Sequence, residues 1–167
     1  MIAALKDTES WIRSALHDVP PHFAIGIVRH AVDEMLGAGL VGEAASWAAV
    51  GIRIARARGW RGYQAVFYGY RAVALAKRGL THRASICRQR ASIALDAGDR
   101  WTPALLVWAD GLIYGLTGDK RRAAERLSKS VRLFNEIGSA HHASFVEMDL
   151  GAHAALLFLA PDSTSSL

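Results

Sequence analysis

The sequence predicts an all-α fold, a stack of antiparallel helical hairpins with about eight helices. Three observations predict it. Apolar residues recur at three- and four-residue steps along nearly the whole chain. No stretch alternates well enough to be a strand. Small residues return about 39 or 40 positions apart, which is the signature of a repeated unit. The unit is clearest from Thr102 to Gly138. Ala104, Val107, Gly111, Tyr114 and Leu116 mark one buried face before a Thr117-Gly118-Asp119 turn. Ala123, Leu127, Ser130, Val131 and Phe134 mark another after it. Gly118 can take the left-handed conformation that stops a helix, and Asp119 can accept the free amides that start the next.

Each element follows from the same signals. Ile2 to Val19 predicts a first helix, ended by Pro20-Pro21 because the residue before proline leaves helical angles. Phe23 to Ala38 is the second, Val41 to Arg58 the third, Gly62 to Arg78 the fourth and Thr81 to Ala97 the fifth. Thr102 to Thr117 is the sixth, with Pro103 suited to its first turn. Asp119 to Ile137 is the seventh and Ala140 to Leu159 the eighth. Residues 1–160 read as one domain, and Pro161 opens a polar tail, 161–167, expected to be disordered.

The repeat carries across these elements. Gly39, Gly79 and Gly118 hold the turn position, and Gly59, Gly98 and Gly138 close successive units at the same step. Ala44, Ala84 and Ala123 correspond, as do Gly51, Ala91 and Ser130. Gly111 maps onto Gly151. Small side chains at matched places let neighbouring backbones approach closely, as a stacked array requires.

The unit resembles a tetratricopeptide repeat of the longer kind, near forty residues. Gly111 and Tyr114 match the small-then-aromatic pair of the first helix, and Gly118-Asp119 matches the turn. Ala123 and Ser130 match the small positions of the second helix, with Leu127 large between them, and Leu150-Gly151 matches the next first helix. The resemblance covers Phe23 to Ala160. Asp110 departs from it where leucine is usual, and Arg88 replaces a large apolar residue. The resemblance implies a right-handed stack whose first helices line a groove. Carried over, that groove comprises Arg29, Asp33, Val66, Tyr70, Val73, Leu105, Trp108, Leu112, Phe145 and Met148. Trp108, Phe145 and Met148 could equally be core. The lysine–asparagine clamp for a peptide carboxylate is not visible. Arrays of this type resemble sensor or scaffold modules of bacterial transcriptional activators and signalling ATPases.

Charge is the second signal. From Ala44 to Leu95 there are ten positive residues and no acidic one, although the whole chain is only +5, so the flanks are net −5. Arg53, Arg56, Arg61, Arg83, Arg88 and Arg90 form the expected basic patch. It suits an anionic partner, whether nucleic acid, an acidic protein or another copy. Bases would also need stacking aromatics, and Trp60, Tyr63, Phe67, Tyr68 and Tyr70 lie close in sequence. The other reading is solvated arginine on helix faces.

Enzyme signatures are thin. There is no G-x-S-x-G, phosphate loop, C-x-x-C or H-E-x-x-H. His142, Asp149 and His153 share a helix face and could hold a metal, but a histidine and a carboxylate at helical spacing commonly form only a pair. The single cysteine, Cys87, excludes an internal disulfide framework and fits a reducing cytosol. No apolar run reaches the length of a membrane span.

The expected function is therefore a non-catalytic, cytoplasmic module without cofactor or metal. It binds a protein helix or peptide through the groove or the end-helix face, and forms a homodimer through the C-terminal helix. A basic nucleic-acid-binding module is the alternative, and a metal-dependent enzyme a weaker one.

Overall fold

The computed structural model describes residues 19–159. Among them the chain forms seven α-helices and no strand: α1 (Pro21–Gly37), α2 (Val41–Ala57), α3 (Arg61–Lys77), α4 (Thr81–Ala94), α5 (Trp101–Leu116), α6 (Lys120–Glu136) and α7 (Ala140–Leu159). The helix expected over Ile2 to Val19 and the tail at 161–167 lie outside the described residues. No described helix is long and apolar enough to cross a membrane.

Five of the six connections are the same turn. Gly39, Gly59, Gly79, Gly118 and Gly138 all have φ between +68° and +88°. In each, the amide after the glycine donates to a carbonyl five residues back. The bonds are Leu40 to Met35, Trp60 to Ala55, Leu80 to Leu75, Asp119 to Tyr114 and Ser139 to Phe134, at 2.8–3.0 Å. This is a Schellman closure, which satisfies the last carbonyls of one helix while reversing the chain. Gly118 and its counterparts thus act as the sequence predicts.

Gly98 does not, and the helix expected to run to Ala97 stops at Ala94. Leu95 turns extended, at φ −62° and ψ 131°. Downstream, Asp99 Oδ1 accepts the amides of Trp101 (2.8 Å) and Thr102 (2.9 Å), and its Oδ2 pairs with the Thr102 hydroxyl. An aspartate cap has replaced the glycine stop.

The packing is that of successive hairpins. Each helix packs on the next, and the first helices α1, α3 and α5 also pack in sequence on one another. The matched small residues face these contacts. Ala44, Ala84, Ala91, Ala123 and Ser130 are fully buried, and Ser130 Oγ donates to the Ala104 carbonyl at 2.9 Å. A Cβ at Gly51 would lie 2.5 Å from the Phe67 ring, and one at Gly111 would lie 2.8 Å from the Leu127 side chain. Helix α3 is the central strut, buried without interruption from Ala65 to Tyr70 and again from Ala72 to Ala76. Packing on neighbours, not propensity, holds helices this short in water.

Candidate interaction surfaces

The face shared by the first helices is where a groove was expected. It is filled by the chain itself. α7 reaches beyond its neighbour α6 to touch α1, α3 and α5. Its Phe145 ring sits against Gly37 of α1, where an added Cβ would lie 2.5 Å away. Its His142, buried, holds the centre. His142 Nε2 is 2.9 Å from Asp33 Oδ1 and 3.4 Å from the Tyr70 hydroxyl, and Nδ1 is 3.0 Å from Ser139 Oγ. A ring donating from Nε2 to Asp33 and accepting from the Ser139 hydroxyl satisfies both nitrogens. Phe134 stacks on the imidazole at 5.3 Å, and Trp101 meets it edge-on at 4.7 Å. The Arg29 guanidinium lies over Trp101 at 4.3 Å. Burial and then the Asp33 carboxylate push the Tyr70 phenol well above its usual pKa, against the opposing pull of Arg29.

A second tie lies further along α7. Asp149 accepts from Lys77 Nζ at 2.7 Å and from Trp108 Nε1 at 2.8 Å, so both carboxylate oxygens are engaged. His153 Nε2 is 3.1 Å from the Lys120 carbonyl. Between these groups is a cleft of about 260 Å³, lined by Lys77, Gly111, Leu112, Gly115, Asp149 and His153.

The groove residues named from sequence are thus brought together, but as an interior. Tyr70, Leu105 and Trp108 are fully buried and Phe145 nearly so. Val66 and Val73 are buried as well. Arg29 and Asp33 serve the His142 cluster, Leu112 lines the cleft, and Met148 alone is strongly exposed, on the other side of α7. An open apolar groove would leave these rings in water, and α7 removes them from it. The sequence missed His142 as the hub, because its partners Asp33 and Tyr70 are 109 and 72 positions away. Its one local signal was the His142, Phe145, Val146 and Asp149 spacing, a single helix face of mixed aromatic and polar character. The three residues weighed as metal ligands are dispersed, with His142, Asp149 and His153 each held by different partners.

No protein-family profile, curated protein or solved structure matches this chain. Its function must be read from its surfaces.

The basic residues divide into used and exposed. Arg88 makes a two-pronged pair with Asp110, Nε to Oδ1 at 2.8 Å and Nη2 to Oδ2 at 3.1 Å. This explains both departures from the repeat pattern at once, a charge on each helix in place of an apolar contact. Arg61 donates to the Ile93 carbonyl at 3.2 Å, and Arg90 lies 5.8 Å over the Tyr68 ring. Arg53, Arg56 and Arg83 are exposed. Of the aromatics considered for base stacking, Phe67, Tyr68 and Tyr70 are buried, which leaves Tyr63 exposed beside half-buried Trp60. Cys87 is buried, and burial pushes its thiol pKa up despite Arg71 and Arg90.

The outer side of α7 carries Ser144, Glu147, Met148, Gly151, Ala152 and Ala155, all exposed. Among the described residues nothing lies within 4 Å of a Cβ placed on Gly151.

Proposed function

We propose that this protein is a non-catalytic interaction module, a TPR-like helical array that self-associates through the outer side of α7. The observation that carries this reading is the contrast between Gly111 and Gly151. These glycines occupy the same place in successive units. Gly111 receives Leu127 of α6, whereas Gly151 receives nothing among the described residues. Around it Ser144, Ala152 and Ala155 are small and Met148 is an exposed apolar side chain, a surface that a packed helix would cover. An isologous pair of α7 helices covers both copies at once. With the inner face occupied, the outer side of α7 is where a further helix would continue the stack. A regulatory or scaffold role in a bacterial cytoplasm is the setting that suits such a module.

The test is a light-scattering mass on the purified chain and on a Gly151→Arg variant. A Cβ at Gly151 meets nothing within 4 Å among the described residues, so the fold should persist by circular dichroism. The expected result is a dimer that becomes a monomer in the variant. A monomeric parent at micromolar concentration would refute the reading.

A further inference from the structure

Helix α4 differs from the other second helices in what it turns outward. The outward rows of α6 hold Arg121, Glu125, Ser128 and Arg132, all polar apart from half-buried positions, and those of α2 hold Glu43, Ser46, Arg53 and Arg56. On α4 the inward line is Ala84, Cys87 and Ala91, all buried. Opposite it, at four-, three- and four-residue steps, run His82, Ile86, Gln89 and Ile93. Ile86 is 39% exposed and Ile93 68% exposed, and Leu95 continues the apolar line at 37% just past the helix end. Arg83 and Arg90 flank this line, and Arg61 reaches the Ile93 carbonyl at its far end. α4 itself carries no acidic residue, Asp110 on its inner side is bound by Arg88, and the exposed Asp96 follows Leu95 past the helix end.

We propose that this outward face of α4 docks an acidic amphipathic helix of a partner protein. Ile86 and Ile93 are seven residues apart, so they stand about 10 Å apart along the helix axis. That is the spacing of two turns of a partner helix, whose apolar residues at i, i+3, i+4 and i+7 would cover both. The arginines beside the isoleucines match carboxylates flanking such an apolar stripe. Among the described residues no helix of this chain presents an apolar stripe between acidic rows, and the basic row beside the isoleucines calls for an acidic partner helix. Nucleic acid fits less well, since phosphate and sugar leave the isoleucines uncovered and Phe67, Tyr68 and Tyr70 are buried. The surface is separate from the outer side of α7 and does not rest on self-association.

The test uses three labelled probes in fluorescence anisotropy. One is a synthetic helix with leucine at i, i+3, i+4 and i+7 and glutamate between. The second is the same composition scrambled, and the third is single-stranded DNA. The ordered peptide should bind at least about tenfold tighter than the scrambled one, the margin of burying two aliphatic side chains. An Ile86→Gln, Ile93→Gln double variant should lose that margin with unchanged helicity. Arg83→Glu should weaken both peptides. Equal binding of scrambled peptide or DNA, no binding of any probe, or an unaffected double variant overturns the proposal. So does a fall in the light-scattering mass of the double variant, which would make α4 a self-association surface. A change confined to Gly151→Arg touches only the reading of α7.

Discussion

Gly111 has no room for a side chain. A Cβ there would lie 2.8 Å from the Leu127 side chain and 3.1 Å from the Leu127 backbone nitrogen, which cannot swing aside. Leucine at 111 should cost about 1–3 kcal/mol by forcing α5 from α6, seen as a lower denaturation midpoint with unchanged slope. Tyr70 gives a pH-dependent expectation. Its phenol keeps its proton to higher pH folded than unfolded, so its contribution is whole below about pH 10, the ordinary value, and is lost as pH rises beyond it. Tyr70→Phe should therefore show a shallower fall in melting temperature above pH 10 than the parent. The small residues were legible in the sequence because volume at a fixed spacing is written into residue type. The His142 cluster was not, since nothing local joins His142 to Asp33.

At the scale of the helix, the ends were the legible part. Glycine in the left-handed region and the capping aspartate are local chemistry, so Gly118 and Asp119 behave as their types dictate. Asp119 Oδ1 accepts the Arg122 amide at 3.1 Å. Asp119→Ala should cost about 1 kcal/mol, measured in chemical denaturation, with the Gly118 turn intact. The failure at Gly98 has the same origin. Two local signals competed there, and the Asp99 cap, with two amides and the Thr102 hydroxyl, prevailed over the glycine stop. The basic stretch was legible as charge but not as surface. Which arginine meets a carboxylate, a carbonyl or a ring depends on helix rotation, which sets Arg88 on Asp110 and leaves Arg83 exposed.

For the whole molecule, the stacking order was legible and the curvature was not. The repeat specifies that α1, α3 and α5 pack in sequence. It does not specify that side chains of α7 reach α1 and α3, as His142, Phe145 and Asp149 do. Trp108 and Phe145 are buried in that contact, so the apolar face read as a groove became interior. The self-association proposed through α7 would rest on Met148, Gly151, Ala152 and Ala155, with Glu147 the charged residue beside them. The dimer mass should stay constant between low and high salt, whereas an assembly held by the arginines would dissociate.

The Asp33–His142 bond joins positions 109 apart and ties the first described helix to the last. An open solenoid gains stability unit by unit and frays from its termini inward. Here the end pieces hold one another, so neither can peel away without breaking contacts at the opposite end. Loss of either should propagate through the entire stack, and the chain should melt as one cooperative body, despite a sequence written in repeats.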